Sequence, residues 1–314
     1  MKLNNATELK NWNMTSTVRA RKWAYDISES DVESDTLLPW FPEHMAPAFK
    51  KPEIKVLSWE AQQRLLARHL VYFLRYTTAL ELQIVNRAVS DIISNKSGIL
   101  LPRFAGRMAL QFYTDEAYHA LFSEELANQV ERLYTSGKKL LDFKRLQILF
   151  SLEQDESADK RPLFRFLTAF VSETGITKEL FDLSSTSLKY PVACMFRDHL
   201  HDEKQHCKFF SNLFVYGWRH ANEDTKADIT RMLPSLMKTF ALIDQEWLSA
   251  ALESEGIDQT SAHEIAESLN SADRVSLRAR RACTATFSAL RSAGTLKHED
   301  HRTPFQKAGL LDGQ

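Results

Sequence analysis

The chain has 314 residues, 44% of them hydrophobic and 26% charged, with a formal net charge of −1. That balance is ordinary for a globular chain with a substantial core, and it excludes a molecule organised around a strongly basic or acidic face for nucleic acid or anionic membrane. No apolar run reaches membrane-spanning length, the leader MKLNNATELKNWNMT has no apolar core, and Cys194, Cys207 and Cys283 read as reduced thiols, so a cytoplasmic protein is expected.

Residues 1–57 read as an N-terminal arm. Trp40 and Phe41 sit beside prolines in LLPWFPEHMAPAFKKP, and burying them against the rest of the chain is favourable. Beyond it, nine glycines and nine prolines punctuate long stretches rich in Leu, Ala, Glu, Arg and Lys. This predicts an all-α protein without a sheet. A first helix starts at the N-cap Ser58 and runs to about Ser94. A second runs from Pro102 to about Tyr134, a third over 142–154, and a fourth from Pro162 to near Gly175, with a continuation at 178–183. A fifth spans about 190–220, and a sixth 225–254 with a kink at Pro234. Two more cover 261–269 and 272–292. The polar segment 294–314 is expected to be a flexible tail.

Two strings in these helices share one pattern, D-E-x-x-H: Asp115-Glu116-Ala117-Tyr118-His119 and Asp202-Glu203-Lys204-Gln205-His206. Glu and His three apart share a helix face and can grip one metal ion. In the fifth helix His199 extends the second string to H-x-x-x-E-x-x-H. Offsets of four and seven place its three side chains within an arc of roughly 60° and a stripe of about 10 Å, long enough to touch two ions. Glu81, inside TTALELQIV, and Glu173, inside RFLTAFVSETG, are lone carboxylates in apolar surroundings. Two Glu from two helices and two Glu-x-x-His pairs from two others form the di-metal recipe of ferritin-like bundles. The expected fold is therefore a ferritin-like all-α bundle over 58–293. The expected ligands are Glu81, Glu116, His119, Glu173, His199, Glu203 and His206. Carboxylate and imidazole without thiolate suit iron, with manganese as the alternative. Behind them, Asp115 is expected to orient His206 and Asp202 to orient His119 across the bundle. One turn from the ligands, Thr77, Phe112, Tyr113, Phe196 and Phe210 are the expected lining of a substrate pocket, with core packing as the alternative role of each.

The order E…E-x-x-H…E…H-x-x-x-E-x-x-H, with 35 residues from Glu81 to Glu116 and 26 from Glu173 to His199, resembles the p-aminobenzoate N-oxygenase family over about residues 40–250. The resemblance implies a non-haem di-iron oxygenase of natural-product biosynthesis. It would use O2 and external electrons to convert an amine to a hydroxylamine, nitroso or nitro product. The amine is an arylamine, or an amino acid or aminoacyl group tethered to a carrier protein. The chain carries no G-x-G-x-x-G, so a separate reductase supplies the electrons. The resemblance also favours a homodimer. Another di-iron oxidase (a C-hydroxylase, a desaturase or an iron oxidase) and a non-catalytic metal-binding interaction protein are the competing readings.

Overall fold

The computed structural model describes residues 11–21, 25–33, 38–134 and 142–312, and among them there is no strand. Four long helical segments carry the metal-site residues. Helix α1 (Trp59–Leu80) starts where Ser58 Oγ accepts the Ala61 N–H, and buries Leu66, Leu70, Phe73, Leu74 and Thr77 along one face. A π-helical turn, Glu81–Val85, leads into α2 (Asn86–Ile93). Helix α3 is Ala105–Leu133, three residues later than Pro102 suggested. After α4 (Lys144–Asp155) come α5 (Arg161–Ser184) and α6 (Tyr190–His220), each with a proline in its first turn, where the missing N–H costs no helical bond. The α5–α6 and α1–α3 pairs pack most extensively.

Helix α5 runs unbroken through Gly175. One interior glycine costs about 1 kcal/mol relative to alanine, too little to end a helix anchored on both sides by buried Phe170, Val171, Leu180 and Leu183. The expected sixth helix is two. Pro234 lies inside α7 (Glu223–Phe240), and the break falls at 241–244, where the Asp244 carboxylate caps α8 (Gln245–Glu253) by accepting the Trp247 N–H. Helix α9 (Gln259–Ser268) follows, and then α10 (Ala272–Ala282) and α11 (Thr284–Ala293), divided at Cys283.

The flexible tail expected from 294 onward is corrected by α12 (Glu299–Lys307). Phe305 is fully buried, Leu310 nearly so, and Arg280 Nε donates to the Gly309 carbonyl at 2.8 Å. The polar composition of this segment concealed two apolar anchors. In the N-terminal arm Trp40, Phe41, Phe49 and Ile54 are all buried. No helix among the described residues is long and apolar enough to cross a membrane.

Two apolar clusters fill the bundle. One gathers Phe112, Phe166, Phe170, Phe209 and Phe210, the other Phe73, Phe122, Leu126, Met195 and Phe196. A layer of buried carboxylates and imidazoles lies where the two meet.

Candidate metal centre

All seven residues singled out as ligands are at most 4% exposed, and they converge from four helical segments. Glu116 and His119 stand on one face of α3, and His199, Glu203 and His206 on one face of α6. Glu173 comes from the middle of α5. Glu81 opens the π-helical turn, in which the Asn86 N–H bonds to the Glu81 carbonyl five residues back. The one-residue excess of such a turn marks functional positions in many helices. Nothing in the local sequence announces it.

Glu203 Oε1 is the hub, 3.3 Å from His119 Nδ1, 3.4 Å from His199 Nε2 and 3.1 Å from His206 Nδ1. Glu81 Oε1 lies 3.3 Å from His199 Nε2 and 4.0 Å from His119 Nδ1. Glu116 reaches His206 Nδ1 at 2.7 Å and His119 Nδ1 at 3.9 Å. Glu173 Oε2 is 3.8 Å from His206 Nδ1. Two groups have donor atoms within 4.8 Å of one another: Glu81, His119, His199 and Glu203, and Glu116, His119, Glu203 and His206. Glu173 lies at the rim of the second group. Behind the imidazoles, His119 Nε2 meets Asp202 at 3.1 Å and His206 Nε2 meets Asp115 at 3.2 Å.

The electrostatics are those of acids and bases crowded out of water. Burial and then the Glu203 charge push Glu116 up to about 7. Burial, with Glu203 and Glu116 nearby, raises Glu173 well above the carboxylate range. Burial works against charge on Glu203, yet His206 and the neighbouring imidazoles hold it well below its ordinary value. Burial likewise opposes charge on His119 and His206, and the surrounding carboxylates outweigh it, so both are raised well above 6.5. Without metal, protons hold the cluster together.

The donor set fits a pair of divalent cations. Glu81 Oε2, both Glu116 oxygens, Glu173 Oε2, Glu203 Oε2, His119 Nδ1 and His199 Nε2 are buried and make no hydrogen bond. A buried polar atom left unpaired costs about 1–3 kcal/mol. With Asp202 and Asp115 accepting at Nε2, the Nδ1 atoms of His119 and His206 are the ones that face the carboxylates. Four carboxylates balance two divalent ions, and the absence of thiolate suits iron.

The sequence profile of the family described as P-aminobenzoate N-oxygenase AurF matches residues 9–294. The chain belongs to this family. It is thus a ferritin-like all-α protein and a di-iron N-oxygenase, an oxidoreductase. The match extends well beyond residues 40–250, into the arm and past α10. No curated protein sequence matches the chain.

The five expected pocket residues lie elsewhere than anticipated. Tyr113 faces outward, 43% exposed, because it sits about 90° around α3 from Glu116. Phe112 packs its ring 4.0 Å from that of His206, and Phe196 packs on Phe73. Phe210 and Thr77 are buried in the helix packing. None of the five lines the cavity of about 590 Å³ beside the centre. Its walls include Phe73, Tyr76 and Leu80 of α1, Val171 and Ser172 of α5, and Arg145 of α4. Leu80 and Ser172 are the chain neighbours of Glu81 and Glu173, so the cavity runs up to the centre. Arg145 stacks its guanidinium 3.9 Å over the Tyr76 ring. Its Nε and the Tyr76 hydroxyl are buried without a hydrogen bond. Sequence reading missed these residues because the far wall comes from segments after 240, remote from every motif.

Proposed function

We propose that the chain oxygenates the nitrogen of an arylamine bearing an acidic group, at two iron ions held by Glu81, Glu116, His119, Glu173, His199, Glu203 and His206. The observation that carries this reading is the set of buried, unpaired oxygens and nitrogens facing one another in a dry layer of the bundle. Once bound, the iron pair supplies the reduction and cleavage of O2. The balance is R–NH2 + O2 + 2 e− + 2 H+ giving R–NHOH and water, and the electrons come from a separate reductase. Further rounds lead to the nitroso and nitro levels.

The chain's own part is binding, orientation and exclusion of water. Asp115 and Asp202 hold the Nε2 protons of His206 and His119, which keeps the opposite nitrogens directed at the centre. Phe112, Phe122, Phe196 and Phe210 keep bulk water from the layer. The cavity is within the range of small-molecule sites, about 300–1,000 Å³. Its aromatic walls suit an aryl ring. Arg145 Nε and the Tyr76 hydroxyl offer donors to an acidic substituent, leaving the amine toward Leu80 and Ser172.

The test is turnover of p-aminobenzoate by iron-loaded protein with a chemical reductant under 18O2. The expected product gains labelled oxygen on nitrogen. Hydroxylation at carbon, dehydrogenation, or iron loading without oxygen consumption would each overturn the proposal.

A further inference from the structure

A short stretch near the start of the described chain holds three aspartates behind the metal centre. Trp12 Nε1 donates to both oxygens of Asp115 at 2.8 and 2.7 Å, and Ser16 Oγ donates to the same carboxylate at 2.5 Å. One residue on, the Thr17 N–H donates to Asp202 at 3.1 and 3.3 Å, and the Thr17 hydroxyl donates to the Asp198 carbonyl at 3.2 Å. Arg21 and Tyr25 then close on the Asp198 carboxylate. Ser16 and Thr17 are 3% and 1% exposed, so these contacts are sealed from water and undiluted by it. Ser16 lies 99 residues from Asp115, and Thr17 lies 185 residues from Asp202.

The two carboxylates held by Ser16 and Thr17 are the two that receive His206 and His119. A carboxylate held only by an imidazole can turn about its last torsion and take the ring with it. Here Asp115 also accepts from Trp12 and Ser16, and Asp202 accepts from the Thr17 amide. Each aspartate is fixed from the side away from the centre, and its imidazole is fixed in turn. Adjacent residues of the arm serve opposite halves of the repeated D-E-x-x-H pattern.

We propose that residues 12–21 are a positioning arm for the metal centre, with Trp12 and Ser16 fixing His206 through Asp115 and the Thr17 amide fixing His119 through Asp202. This rests on the metal-centre reading given above. No residue of the arm is placed among the ligands, so it acts only through the aspartates. Loss of such a supporting contact typically weakens metal binding about 10- to 100-fold.

Full-length protein titrated with Co(II) tests the arm without turnover, through the binding isotherm and the ligand-field absorption bands. Ser16→Ala removes a donor to Asp115. Thr17→Pro removes the donor to Asp202. Proline is accommodated there because Thr17 opens a helical turn and Ser16 already has the extended backbone a proline requires, φ −61° and ψ 138°. Arg21→Gln is the control. It loosens the arm's partly exposed link to Asp198 and touches neither supporting aspartate. The expected result is about tenfold or greater weakening of Co(II) binding in Ser16→Ala and in Thr17→Pro. Their absorption bands shift, and Arg21→Gln behaves as wild type. Wild-type affinity and bands in both variants, or equal weakening in Arg21→Gln, would overturn the arm's role. Should Ser16→Ala not fold, Trp12→Phe repeats the measurement on the same aspartate. Failure of the wild type itself to take up Co(II) would refute the metal-centre reading instead.

Discussion

Arg145 gives the sharpest test of how the cavity selects its substrate. Its guanidinium is stacked on Tyr76 at 3.9 Å, so the plane of the fork is set before any ligand arrives. One weak contact, 3.4 Å from Nη1 to the Phe240 carbonyl, is its hydrogen bond to the protein, and Nε has none. A substrate carboxylate would gain hydrogen bonds to a charged donor, worth about 1.5–3 kcal/mol. At about 1.4 kcal/mol per tenfold, Arg145→Met should lower kcat/KM for p-aminobenzoate roughly 10- to 150-fold. For p-aminobenzamide, which has the same ring and amine but no charge, the loss should stay below about threefold, since methionine preserves the apolar stem. Arg145→Lys should recover only part of the loss, because an ammonium does not reproduce a planar fork. The assay is steady-state oxygen consumption with product identification on both substrates. Equal losses on the two would show that Arg145 supports the fold of the cavity and has no role in recognising charge.

Three further outcomes follow from the geometry. Glu116→Ala should lose metal while Glu124→Ala, one helical stretch further along α3, retains it, as read by iron analysis of purified protein. His69 is buried, with Nε2 unpaired, and burial alone depresses it to about 3. The unfolded chain therefore binds a proton near pH 6.5 that the folded chain refuses, and stability falls as pH drops below that value. From pH 7 to pH 5 this amounts to about 2 kcal/mol, which His69→Leu should abolish in urea titrations of metal-free protein. Gly98 has φ +72°, and a Cβ there would meet the Leu163 backbone nitrogen at 2.5 Å. Gly98→Ala should cost more than about 2 kcal/mol by thermal melting, because the left-handed backbone and the clash both oppose it.

The chemistry of the centre was legible because buried charge is hard to disguise. Glu81 and Glu173 stood out as acids on apolar helix faces, and the repeated D-E-x-x-H set the paired imidazoles apart from ordinary surface ion pairs. Long-range relations were not legible. Trp12 and Thr17 lie in a polar leader whose partners are a hundred or more residues away, and nothing local encodes them. The cavity escaped for the same reason. The helix boundaries that moved, at Gly175 and Pro234, did so because tertiary burial outweighed a local propensity of a few kcal/mol at most. The order of the tail likewise depends on one phenylalanine finding a slot against Phe287.

The π-helical turn at Glu81 ties two properties to a single extra residue. A regular helix through this point would rotate everything after it by roughly 100°. Ala88, Val89 and Ile92 would then turn away from the interior they now fill. Loss of one residue between Glu81 and Val85 would thus misdirect a metal-facing acid and unseat a packed helix end together. A lineage could not shed the centre by such a deletion without also rebuilding that end of its core.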